Sequence, residues 1–64
     1  MKILLKQIMD DRNLSVRQVE MLTGVPKSTV SDIRAGAMPK LDTLEMLAAG
    51  LKIRITDLFE SEYK

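Results

Sequence analysis

The stretch Val16-Arg17-Gln18-Val19-Glu20-Met21-Leu22-Thr23-Gly24-Val25-Pro26-Lys27-Ser28-Thr29-Val30-Ser31-Asp32-Ile33-Arg34-Ala35 decides the reading of this chain. Ser15 stands just before it, with a hydroxyl able to accept from a free N–H of a first helical turn. Gln18 follows three residues on, as a capping box requires. The pattern predicts a helix from Val16 to about Thr23, with Val19 and Leu22 turned inward and Gly24 ending it. Gly24 supplies a positive φ without a steric clash, Val25 fills the inside of the corner, and Pro26 presets φ for a new helix. That helix runs from about Lys27 to Ala35 and stops at Gly36. Val30 and Ile33 face inward. Lys27, Ser28, Ser31, Asp32 and Arg34 make an outer face that is almost wholly polar.

Working outward, Leu4, Leu5, Ile8 and Met9 recur at helical spacing and predict a first helix over about Lys2 to Arg12. Asn13, which tolerates the left-handed conformation, is its stop, and Leu14 packs inward. Ala37 to Lys40 reads as a loop. Leu41, Leu44, Leu47, Ala48 and Leu51 form the stripe of a fourth helix over about Leu41 to Leu51. A short fifth helix, about Thr56 to Glu60, carries Leu58 and Phe59, and Ser61 to Lys64 is expected to fray. Strand signals are poor. The expectation is an all-α fold: one domain over residues 1–64, a compact bundle of five short helices.

A chain of 64 residues holds one domain. Such a domain buries only ~60% of the surface its unfolded chain exposes, so marginal stability is expected. The sequence has no cysteine and no histidine. It therefore offers no disulfide, none of the common zinc ligand sets and no thiolate or imidazole catalyst. The carboxylates fall mostly on expected solvent faces, without a nucleophile–base pair. No enzyme activity, metal site or cofactor is expected. No apolar run approaches the ~20 residues that span a bilayer, and the N-terminal residues do not read as a signal peptide. A cytoplasmic, nucleoid-associated protein is the expectation.

The formal net charge is +1, but its distribution is uneven. Residues 12–40 carry five basic against two acidic side chains, a net of +3, and residues 41–64 carry three against five, a net of −2. A basic centre beside an acidic tail suits a surface that meets an anion on one side only.

Two short helices joined by a tight glycine turn make a corner that presents the second helix on a rigid base. The major groove of B-DNA is wide enough to admit one helix. In a helix-turn-helix the second helix enters that groove while the first crosses the backbone. The run from Leu14 through Gly36 resembles the phage-repressor/Cro-type helix-turn-helix family, also described as lambda-repressor-like. Pro39-Lys40-Leu41-Asp42-Thr43-Leu44 and Ile55-Thr56-Asp57-Leu58-Phe59 match its fourth and fifth helices, so the resemblance covers nearly the whole chain.

The resemblance implies sequence-specific binding of double-stranded DNA, transcriptional regulation by promoter occupancy, and a homodimer. It places Lys27, Ser28 and Asp32 at base edges. Lys27 suits the guanine acceptors and Asp32 a cytosine amino group. Thr29 and Ser31 flank them. Phosphate contacts are expected from Ser15, Val16 and Arg17 at the start of the second helix, and from Lys40. Ile55, Phe59 and Tyr63 are the candidate dimer seam.

Four departures from the family pattern stand out. Val16 replaces a usual Gln, leaving only its backbone for phosphate. Glu20 replaces a usual Ala where the two helices approach, and needs an exit to solvent. Met9 and Arg34 together replace an internal Arg–Glu pair, which leaves Arg34 unpaired and free for phosphate. Lys52 replaces a usual glycine, so a differently shaped turn is expected before Ile53, and Gly50 weakens the fourth helix by ~1 kcal/mol relative to Ala. The competing reading is a protein-binding helical module, antitoxin-like or an adaptor, that reuses the fold. An apolar patch on the third helix would favour it.

Overall fold

The computed structural model describes residues 1–64. Four α-helices form the body: α1 (Leu5–Arg12), α2 (Val16–Thr23), α3 (Lys27–Arg34) and α4 (Leu41–Leu51). A single 3₁₀ turn, Ile55–Leu58, follows. Two short strands, β1 (Lys2–Ile3) and β2 (Phe59–Glu60), pair antiparallel with Lys2 opposite Glu60 and Ile3 opposite Phe59. No helix is long and apolar enough to cross a membrane.

One apolar core joins every helix. Leu5 and Met9 come from α1, Val19 from α2, Val25 from the corner and Val30 and Ile33 from α3. Leu44, Leu47, Ala48 and Leu51 come from α4, and Leu58 closes the cluster. The α4 residues follow the i, i+3, i+4, i+7 rule of a helix with one buried face. Ile3, Ile8, Leu14, Val16 and Ile53 pack around its rim.

Local chemistry sets most of the boundaries. Asn13 ends α1 in the left-handed region, at φ 54°. Ser15 Oγ accepts from the Gln18 amide at 3.1 Å, and Gln18 Oε1 accepts from the Ser15 amide at 2.8 Å, so the expected capping box is formed. Gly24 ends α2 at φ 78°. The Thr23 hydroxyl tightens this corner, donating to the Val19 carbonyl at 2.7 Å and accepting from the Val25 amide at 3.2 Å. Val25 is buried, as the corner demands.

Both ends of the expected five-helix bundle are corrected. Lys2 and Ile3 form a strand rather than the start of α1, and the expected fifth helix is a 3₁₀ turn followed by β2. Leu4, which precedes α1, has no side chain to cap it, so nothing holds the helix open toward residue 2. The Leu4 amide instead donates to the Leu58 carbonyl at 2.8 Å. Ile3, Ile53, Ile55 and Thr56 are β-branched and disfavour helix. The expected fraying of Ser61–Lys64 is also replaced by contacts. Lys64 Nζ donates to the Phe59 carbonyl at 3.0 Å and to Glu60 Oε1 at 3.3 Å.

Four expectations about α2 and α4 change with the packing. Leu22 is 52% exposed and Leu41 81% exposed, not inward. The inner face of α2 is Val16, Val19, Glu20 and Thr23, and Leu41 sits in the first turn of α4, beyond the edge of the core. Gly50 is where α4 crosses α2. A Cβ there would collide with the Leu22 carbonyl and lie 2.6 Å from the Thr23 Cα. Its missing side chain is therefore a packing requirement as well as a cost in helix propensity. Lys52 takes the left-handed conformation itself, at φ 58°, so the turn keeps a glycine-like shape. Arg12 then ties the ends of α1 and α4 together, donating to the Leu51 carbonyl at 2.9 Å.

Candidate nucleic-acid interface

The helix α3 is divided cleanly by its packing. Val30 and Ile33 are buried. Lys27, Ser28, Ser31 and Asp32 are all exposed. The spacing i, i+1, i+4, i+5 puts those four on one side of the helix. Thr29 and Arg34 are half-buried at the margins. The outward side thus carries an ammonium, two hydroxyls and a carboxylate, with no apolar side chain among them.

The first turn of α2 forms a second polar surface. Its capping box uses the amides of Ser15 and Gln18. The amides of Val16 and Arg17 have no acceptor within the protein. Two free N–H groups at the positive end of a helix dipole suit an anionic oxygen. The Val16 side chain packs against the core, so its outward polar group is its backbone. Arg17 and Lys40 are exposed, and neither is in an ion pair. The two ion pairs of the molecule are Arg34 with Asp10 and Lys64 with Glu60.

The unpaired Arg34 expected from the sequence is not found. Its Nη2 lies 3.6 Å from Asp10 Oδ1, and its Nη1 lies 3.9 Å from Met9 Sδ. Where the family pattern has Arg on α1 and Glu on α3, the pair is here reversed: the cation, Arg34, is on α3 and the carboxylate, Asp10, on α1, one residue beyond Met9. Both side chains remain partly in water, so the pair stabilises the fold by no more than ~1 kcal/mol.

The three seam candidates are not equivalent. Tyr63 is 89% exposed and Ile55 is 37% exposed. Phe59 is half-buried in β2 opposite Ile3, with the Lys64 ammonium 5.7 Å from its ring centre.

One residue of this region has a place that the sequence did not give. Glu20 Oε2 accepts from the Lys27 amide at 2.8 Å. The sequence signal was only that Pro26, the residue before α3, brings no side-chain acceptor to the helix start.

An apolar corner that holds a polar helix outward defines a helix-turn-helix DNA-binding domain. Residues 4–63 match the family model described as the Cro/C1-type HTH DNA-binding domain, and the chain belongs to that family. No curated protein and no solved structure matches it.

Proposed function

We propose that this protein is a sequence-specific transcriptional repressor that inserts α3 into the major groove of double-stranded DNA. The observation that carries the proposal is the outward side of α3, where Lys27, Ser28, Ser31 and Asp32 are exposed while Val30 and Ile33 are buried. In this reading Lys27, Ser28 and Asp32 contact base edges, and Thr29 and Ser31 reach bases or phosphates beside them. Ser15 and the free amides of Val16 and Arg17 grip one stretch of backbone, and Lys40 another. Arg34 is not assigned a contact, because Asp10 holds it. The exposed apolar side chains Met21, Leu22 and Met46 belong to α2 and α4, whereas a protein-binding module built on α3 calls for apolar groups there.

A homodimer with Ile55 and Tyr63 at its seam would set two copies of α3 about 34 Å apart, one turn of DNA. Occupying a promoter in this way blocks transcription without a ligand or cofactor, in the cytoplasm where the nucleoid lies.

Selection of bound sequences from a random duplex library, read at two salt concentrations, tests this. Enrichment of a two-fold-related motif is expected, and failure to enrich any motif overturns the proposal. Lys27→Ala should weaken the enriched duplex by ~1–3 kcal/mol and relax one base preference. Lys40→Ala should weaken all duplexes alike and reduce the salt slope by about one unit. If neither substitution changes binding, α3 and its neighbourhood are the wrong surface.

A further inference from the structure

A helix that reads DNA must be held at a fixed angle, and its first turn is the part nearest the groove. The first turn of α3 lacks the usual means of fixing it. Pro26 occupies the cap position with no side-chain hydrogen bond to offer. The amides of the first turn of a helix have no partner inside the helix and need one outside. For Lys27 that partner is Glu20, reached from the middle of α2 at 2.8 Å.

Glu20 grips both sides of the corner. Its backbone carbonyl accepts from the Gly24 amide at 2.9 Å and closes the end of α2. Its carboxylate accepts from Lys27 and closes the start of α3. No cation lies within ion-pair distance of that carboxylate, so its charge is directed at the helix start alone. The remaining first-turn amides of α3, those of Ser28 and Thr29, have no acceptor within the protein. A negative charge already stands beside them, in the place where a DNA phosphate would otherwise be drawn. The start of α2 is different, because its cap is the neutral pair Ser15 and Gln18.

We propose that Glu20 is a specificity-determining positioning residue, resting on the DNA-binding reading above. Its carboxylate locks the backbone of Lys27 relative to α2, and its charge turns phosphate away from the start of α3. Phosphate is thereby left to the start of α2 and to Lys40, and the free amides at the start of α3 are kept clear of it. Glu20 acts through Lys27 and the helix axis rather than by touching DNA. It lowers affinity for arbitrary DNA and raises the ratio of specific to non-specific binding.

The test compares the wild-type chain with Glu20→Ala and Glu20→Gln. It uses the duplex enriched by selection and a scrambled duplex of equal length. Glu20→Ala should lose about tenfold in affinity for the enriched duplex, the equivalent of ~1.4 kcal/mol. Its affinity for the scrambled duplex should hold or rise. Glu20→Gln keeps an acceptor oxygen but not the charge. It should recover most of the specific affinity while binding the scrambled duplex more tightly than the wild type does.

Amide hydrogen exchange without DNA supplies a readout independent of binding. The Lys27 amide should lose protection in Glu20→Ala and keep it in Glu20→Gln. Equal weakening of both duplexes by Glu20→Ala, in step with a loss of folded protein, would overturn the specificity role. So would unchanged exchange at Lys27 in Glu20→Ala, where the wild type does select a motif. If the wild type selects no motif, the DNA-binding reading itself falls and the specificity role falls with it. The exchange measurement then still shows whether Glu20 joins the two helices.

Discussion

The corner between α2 and α3 and the seam between the two chain ends are built by opposite means. The corner is assembled from neighbours. Ser15 with Gln18, Glu20 with Gly24 and Lys27, and Thr23 with Val19 and Val25 satisfy backbone groups across at most seven positions. The seam pairs Lys2 and Ile3 with Phe59 and Glu60, and passes the Leu4 amide to the Leu58 carbonyl. Local satisfaction makes a rigid corner that the rest of the protein can present to a partner. Pairing of the ends makes that corner depend on the whole chain being folded, because Leu58 plugs the same core that Val19, Val25 and Val30 enter.

If this contrast is right, damage at the seam should be global. Leu58 has no exposed surface. Leu58→Ala should cost ~2–5 kcal/mol, comparable to the whole stability of so small a domain. Urea denaturation should show a midpoint that collapses, with α2, α3 and α4 lost together. Retention of a folded corner in this variant would break the comparison. The next largest effect is expected where α4 backs the corner. Gly50→Ala should destabilise by about 1–3 kcal/mol, because the new methyl meets the backbone of Leu22 and Thr23. Ala is the better helix former, so propensity alone predicts the opposite sign. A thermal midpoint above that of the wild type would refute the close crossing.

The same contrast explains what could be read from the sequence. The corner was legible because its signals are local. Ser15 with Gln18, Gly24 before Val25-Pro26, and inward Val30 and Ile33 each follow from a few adjacent residues. The seam was not legible, because a two-residue strand carries no periodicity and its partner lies at the far end of the chain. Leu58, expected on a fifth helix, lies in the 3₁₀ turn and enters the core from there. The errors within the bundle share a tertiary origin. Leu22 fits the helical stripe, yet the approach of α4 at Gly50 presents its carbonyl to that helix and leaves its side chain exposed. Arg34 stands where the family has a Glu, and its partner, Asp10, emerges only from the packing of α1 on α3. Glu20 was recognised as a residue in need of an exit, and the exit proved to be an amide of the next helix.

The smallest effect sharpens the distinction between folding the corner and using it. Ser15 is exposed, and its hydroxyl serves the Gln18 amide alone. Ser15→Ala should cost about 1 kcal/mol of stability, the usual loss for an N-cap. Because the cap orients the first turn of α2, the free amides of Val16 and Arg17 should also become less well aimed at phosphate. Binding should then weaken for enriched and scrambled duplexes by the same factor, since a backbone contact carries no sequence information. That uniform loss is the counterpart of the selective loss expected at Glu20, although both residues cap a helix of the same corner. Ser15→Asp separates the two effects further. It restores an acceptor and a stable cap, but adds a negative charge where phosphate is expected, so the fold should recover while binding to every duplex falls. Unchanged binding in Ser15→Asp at low salt would remove the start of α2 from the interface and leave it to α3 and Lys40.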